Sequence, residues 1–129
     1  MKAQTFKLRI AAAAMTLMIA HGTSQAETYP YRVAYENVPS AIELEAGNVD
    51  AGIAILEQQL DEEGTNTGFV LATLCGAYII ESSLQKADRI CDEAVAQHPG
   101  ETAYNNRGVL RAFRGDFQGA QADFDRARP

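Results

Sequence analysis

The stretch that most limits what this chain can fold into is its last, Tyr104 to Ala127, which reads YNNRGVLRAFRGDFQGAQADFDRA. Tyr104 is followed by Gly108, then by the turn Gly115-Asp116-Phe117, then by Ala120, Phe124 and Ala127. Gly108 and Ala120 are small where two antiparallel helices need their backbones to come close, and Tyr104, Phe117 and Phe124 supply the bulk that fills the space around them. The pattern predicts a helix–turn–helix hairpin.

The hairpin has weaker copies upstream. Ala87, Cys91 and Ala94 stand 33 residues before Ala120, Phe124 and Ala127, and Pro99 closes that copy. Gly76 is matched to Gly108, which makes the segment from Gly76 to Ala87 one residue shorter than that from Gly108 to Ala120 and leaves the turn boundary open. Further back, Gly47-Asn48-Val49 matches Gly115-Asp116-Phe117, with Gly52 at the place of Ala120 and Leu56 at that of Phe124. This large–Gly–aromatic–Ala–aromatic–Ala–Pro spacing resembles the tetratricopeptide repeat (TPR). The positions that carry the resemblance are Gly76, Ala87, Ala94, Pro99, Tyr104, Gly108, Gly115, Ala120, Phe124 and Ala127. It implies an all-α fold of helix–turn–helix repeats stacked as a short right-handed solenoid with six helices. Three hairpins are expected over residues 39–64, 68–99 and 101–129, the first degenerate because it lacks the large–Gly pair.

Local signals agree with a helical period from Pro39 onward. Pro39 suits a first helical turn and Ser40 a cap, before a short helix through Ala41, Ile42, Leu44 and Ala46. Asn48 can cap the next helix, where Val49, Ile53, Leu56 and Leu60 fall on one stripe. Gly64 to Gly68 is a loop, with Thr67 placed to cap a helix from Phe69 to about Glu81. That helix is apolar around most of its circumference and is expected to be the most buried.

Residues 1–26 have the layout of a secretory signal, with Lys2, Lys7 and Arg9 ahead of an apolar run from Ile10 to Ala20 and small residues before a cut after Ala26. A run of that length spans only ~16 Å as a helix, too little for a membrane anchor. A periplasmic or secreted bacterial protein with no membrane span after cleavage is expected. Removing the leader leaves 8 basic side chains against 17 acidic ones, a net charge of −9 for residues 27–129. That balance argues against nucleic acid or an anionic membrane as partner. Residues 27–38 form a separate arm in which Tyr29, Tyr31, Val33 and Tyr35 alternate at period two and Pro30 opposes helix, so an extended state is expected. Whether the arm fills a groove of the helical domain is open from sequence.

Catalytic machinery is not evident. His98 sits at a helix end beside Pro99, and there is no nucleophile with a local His partner, no phosphate loop and no ligand set for a metal, so neither an enzyme nor a cofactor is expected. Cys75 and Cys91 fall on facing helices of the central hairpin; an oxidising compartment favours their pairing, and a bridge and two buried thiols both remain open. Without a Cys-x-x-Cys, a thiol-dependent function is the least favoured alternative. Arg107, Arg111 and Arg114 share one helix face. The resemblance implies large apolar side chains at the first two of these sites. The stripe therefore either ion-pairs with Asp116, Asp123 or Glu101 on a terminal repeat or receives an acidic partner. The resemblance also implies a protein- or peptide-binding groove lined by the leading helices. Ala72, Asn105, Val109 and Ala112 are the groove candidates, with Tyr78 at the edge. Asn106 is given little weight, and no carboxylate clamp is expected, because Glu43, Thr73 and Tyr78 stand where basic residues would be needed. Self-assembly through the end repeats, giving a homo-oligomer without a groove ligand, is the alternative.

Overall fold

The computed structural model describes residues 31–62 and 66–129. The expected leader (1–26), the start of the expected arm with Tyr29, and residues 63–65 ahead of and within the expected loop lie outside the described residues. Six helices follow one another: α1 (Ala41–Glu45), α2 (Val49–Asp61), α3 (Thr67–Ile80), α4 (Leu84–Gln97), α5 (Glu101–Phe113) and α6 (Phe117–Ala127). No strand is present among the described residues. Each helix packs on the next in sequence, and α3 also packs on α5. The core runs through Leu44, Ile53, Leu56, Leu71, Leu74, Ile90, Val109 and Leu110. Helix α3 lies at its centre, with every residue from Val70 to Ile79 buried.

Three turns of one kind close the hairpins. Gly47, Ser82 and Gly115 have φ of 85°, 67° and 81°, in the left-handed region. In each, this residue donates its N–H to the carbonyl three back and the next residue donates to the carbonyl five back. The pairs are Gly47 to Leu44 and Asn48 to Glu43, Ser82 to Ile79 and Ser83 to Tyr78, and Gly115 to Ala112 and Asp116 to Arg111, all between 2.8 and 3.0 Å. These bonds satisfy the last free carbonyls of each leading helix in Schellman fashion. Only the third turn adds a side-chain cap, Asp116 Oδ1 accepting from the Gly119 N–H at 2.9 Å.

The turns correct the sequence alignment of the second and third hairpins. Ser82 and Gly115 are equivalent and 33 residues apart, as are the helix ends Ile80 and Phe113 and the helix starts Leu84 and Phe117. The register is therefore unbroken, and the counterpart of Gly108 is Cys75, not Gly76. In the last hairpin, Gly108 makes room for Phe124, whose Cε1 would lie 2.6 Å from a Cβ at that position. In the central one the same two places hold Cys75 and Cys91, joined by a disulfide with Cα atoms 4.9 Å apart. Gly76 faces elsewhere, as described below.

Other local expectations are also revised. Thr67 is the first residue of α3 and Asn66 its cap position, so the helix starts two residues before Phe69. Ser40 and Asn48 occupy cap positions, but neither side chain bonds a helix amide. The Ser40 hydroxyl is buried with no partner, and Asn48 Nδ2 donates to Glu43 Oε2 at 2.9 Å. The first helix is short, and Leu44 fills the space that Gly52 leaves open on α2.

Two stability outcomes follow. Ser82 holds a left-handed conformation that costs a side-chain-bearing residue ~1–2 kcal/mol, whereas glycine gives up ~0.5–1 kcal/mol of unfolded-state entropy. Ser82→Gly is therefore expected to stabilise the chain by about 0.5 kcal/mol or more in urea unfolding; equal or lower stability would contradict this account of the turn. The disulfide closes a short loop, its cysteines being separated by 16 positions in sequence. Replacing both by alanine should cost ~3 kcal/mol in the same assay, and a reducing agent should shift the midpoint of the native chain but not of the double variant.

Candidate functional site

The residues of the arm cross α5 and then α3. From residue 31 to 36 the backbone has no helix, turn or bend. Its path is set by side chains that bond its main chain. Asn105 Nδ2 donates to the Arg32 carbonyl at 2.9 Å. Asn106 takes both polar groups of one residue, Oδ1 accepting from the Ala34 N–H and Nδ2 donating to the Ala34 carbonyl, each at 2.7 Å. Thr73 Oγ1 accepts from the Glu36 N–H at 3.0 Å. Asn106 Nδ2 also donates to the Ala72 carbonyl at 2.9 Å, which ties α5 to α3 beneath the arm.

Asn106 has no solvent exposure. A buried amide must find partners for both its oxygen and its nitrogen, and here the arm supplies most of them. Around this pair the arm contributes apolar contacts. Tyr31 stacks on Phe124 with ring centroids 5.6 Å apart, and Val33, Tyr35 and Val38 pack against the core. Gly76 permits the close approach. A Cβ there would stand 2.8 Å from Asn106 Nδ2, 3.2 Å from the Ala34 carbonyl oxygen and 3.3 Å from the Tyr35 ring. Burial, reinforced by the charge of Glu45, raises the Tyr35 phenol pKa above its ordinary value.

The groove candidates are spread over this surface and behind it. Ala72 and Asn105 bond Asn106 and the arm respectively, while Val109 and Ala112 are buried in α5. Tyr78 turns toward α2 and α4: its hydroxyl donates to Glu57, and the Lys86 ammonium lies 5.1 Å from its ring centroid. Burial first, then the bond and charge of Glu57, raise its pKa. Sequence reasoning gave Asn106 little weight, named Thr73 only as standing where a basic residue would be needed, and matched Gly76 to Gly108. The available signal was a short amide amid the apolar residues Ala103, Val109 and Leu110, a polar group that requires a partner once buried.

The arginine stripe is neutralised within the chain. Arg107 grips the buried Asp123 with Nε at 2.9 Å and Nη2 at 2.8 Å, and its Nη1 reaches Asp92 at 3.2 Å. Arg111 adds a 2.9 Å contact to Asp123, and Arg114 pairs with Asp88. Asp116 lies 4.0 Å from Arg111, and Glu101 takes no part in these pairs. The hydrogen bonds to Asp123 are the main reason the Arg107 pKa is raised. One buried carboxylate between two guanidinium groups thus clamps α5 to α6, with Arg107 and Arg114 reaching back to α4. His98 ends α4 and packs edge-on against Phe69, with centroids 4.4 Å apart.

Among the described residues there is no group of three His, Cys, Asp or Glu placed to hold a metal ion, and no helix long and apolar enough to cross a membrane. No family model matches the chain, and comparison with curated proteins and with solved structures likewise gives no match.

Truncating the amide tests the seat of the arm. Asn106→Ala leaves the Ala34 amide without its acceptor and is expected to destabilise by ~1–3 kcal/mol. Amide hydrogen exchange should accelerate far more at Ala34 and Glu36 than in α4. Asn106→Asp can still accept from the Ala34 N–H but donates to neither carbonyl, so it should fail to restore full protection. Unchanged exchange at Ala34 in the alanine variant would show that the amide does not hold the arm.

Proposed function

We propose that this chain is an exported TPR-type scaffold that binds a segment of protein or peptide across α3 and α5. The observation that carries the proposal is the set of bonds from Asn105, Asn106 and Thr73 to the main chain of residues 32–36. Three side chains on two helices bond the backbone of a segment that is itself neither helix nor strand. A surface that engages main-chain groups in this way suits exchangeable segments, because every residue except proline offers the same N–H and C=O. In the chain as described, the arm occupies that surface and competes in cis with any ligand in trans.

The repeat assignment is supported by the 33-residue equivalence of the second and third hairpins and by the three left-handed turns. Packing of each helix on its neighbour, with α3 and α5 also side by side, suits a stacked array whose leading helices form one face. Export is supported by the leader of residues 1–26 and by the disulfide, a bond that persists in oxidising compartments. The internal pairing of Arg107, Arg111 and Arg114 leaves the α3–α5 face as the better candidate for a partner than the arginine stripe.

The test weakens the arm without removing it. A chain carrying Val33→Asn and Tyr35→Asn is presented to a library of displayed random peptides, beside the same chain with Asn106→Ala added. Sequences should be enriched on the first and not on the second. Equal recovery from both would overturn the proposal.

A further inference from the structure

The arm also records what the groove accepts. Its hydrogen-bonded main-chain groups belong to the even positions Arg32, Ala34 and Glu36. Within residues 31–36 its packed side chains belong to the odd ones, Tyr31 against Phe124 with Val33 and Tyr35 against the core, while Val38 packs on the core after the Val38 N–H has turned back to the Glu36 carbonyl. Among the described residues the side chains of Arg32, Ala34 and Glu36 make no hydrogen bond or ion pair with the helices. Such parity is what a straight segment produces when alternate side chains point down onto a surface and the main chain between them is bonded from the side.

Resting on the peptide-binding proposal above, we infer that this groove takes a straight six-residue segment with aromatic, aliphatic and aromatic side chains at its first, third and fifth positions. The second, fourth and sixth residues are bonded through their main chain, and their side chains add no hydrogen bond or ion pair, the second being exposed and the fourth and sixth half-buried. Two filters follow from the geometry. The fourth and sixth residues must each donate an N–H, to Asn106 and Thr73, so proline is excluded at both. The fifth side chain lies over Gly76, where a Cβ would come within 3.3 Å of the Tyr35 ring and 2.8 Å of the Asn106 amide. Glycine on α3 is what lets an aromatic residue and the Asn106 amide meet there. The arm meets both filters, since its nearest prolines, Pro30 and Pro39, fall outside the six residues. It is thus a ligand of this class carried in cis, and a free segment must overcome the high effective concentration that its tether confers.

The experiment uses the full chain, expressed with its leader, carrying Val33→Asn and Tyr35→Asn to loosen the arm; circular dichroism and a thiol count check that it is folded and bridged. Labelled peptides spanning residues 27–38 are titrated by fluorescence anisotropy. The parent peptide should bind. Arg32→Ser and Glu36→Gln in the peptide should change affinity by less than 3-fold, Tyr31→Ala and Tyr35→Ala should each weaken it at least 10-fold, and Ala34→Pro should abolish binding. Gly76→Ala in the protein should also abolish it, although alanine favours the helix. Equal binding by all peptides overturns the inference and leaves the peptide-binding proposal standing. Failure of the parent peptide, with enrichment of unrelated sequences in the display experiment, does the same; failure of both overturns the proposal as well. In the unmodified chain, the Ala34 and Glu36 amides should exchange more slowly than those of Val33 and Tyr35, and the absence of that alternation also overturns the inference.

Discussion

The side-chain amide of Asn106 is the interaction on which the arrangement of arm and helices depends. It is buried and makes contacts in three directions: to both main-chain groups of Ala34, to the Ala72 carbonyl on α3, and to the neighbouring Asn105 amide. An unsatisfied amide in that position would be costly, because neither its oxygen nor its nitrogen could reach water. The arm therefore completes the fold at this point as well as covering it. The same demand is met here by a main chain, because Ala34 presents a donor and an acceptor together.

The second and third hairpins show two ways of filling one geometric position. Where Gly108 yields space to the Phe124 ring, Cys75 and Cys91 instead bring their helices together through a covalent bond. The first solution depends on aromatic bulk and dispersion, and the second on removing chain entropy from the unfolded state. The turns differ in the same way. Glycine adopts the left-handed conformation freely at residues 47 and 115, while Ser82 is held in it by the surrounding bonds. The central hairpin thus combines a less favourable turn with a covalent link between its helices.

The arginines of α5 illustrate how a charged stripe can be structural. Arg107 and Arg111 converge on Asp123, which is 1% exposed, and the pair geometry satisfies both carboxylate oxygens. Removing either kind of partner would leave an uncompensated charge inside the α5–α6 interface, so the cluster holds the hairpin together only as a set. Asp92 and Asp88 extend it to α4. The sequence suggested Asp116, Asp123 or Glu101 as partners, all within one hairpin, and of these Asp123 takes the close contacts; the partners on α4 depend on how that helix packs beside α5.

The local part of this protein was legible in its residues: a helical chain, the turns at Gly47 and Gly115, and an arm unlike the rest. Each follows from contacts within a few residues, where periodicity, glycine and proline act directly on the backbone. The register between the central and last hairpins was only partly legible, because Gly76 looks like Gly108 in one dimension and Ser82 does not look like a glycine. Tertiary structure decided that Cys75 stands where Gly108 does, that the two cysteines are bridged, and that Gly76 with Asn106 forms a seat for the arm. The reason is separation along the chain: Asn106 and Ala34 are 72 residues apart. Neither signals the other until packing of α3 against α5 buries the amide beside residues 32–36.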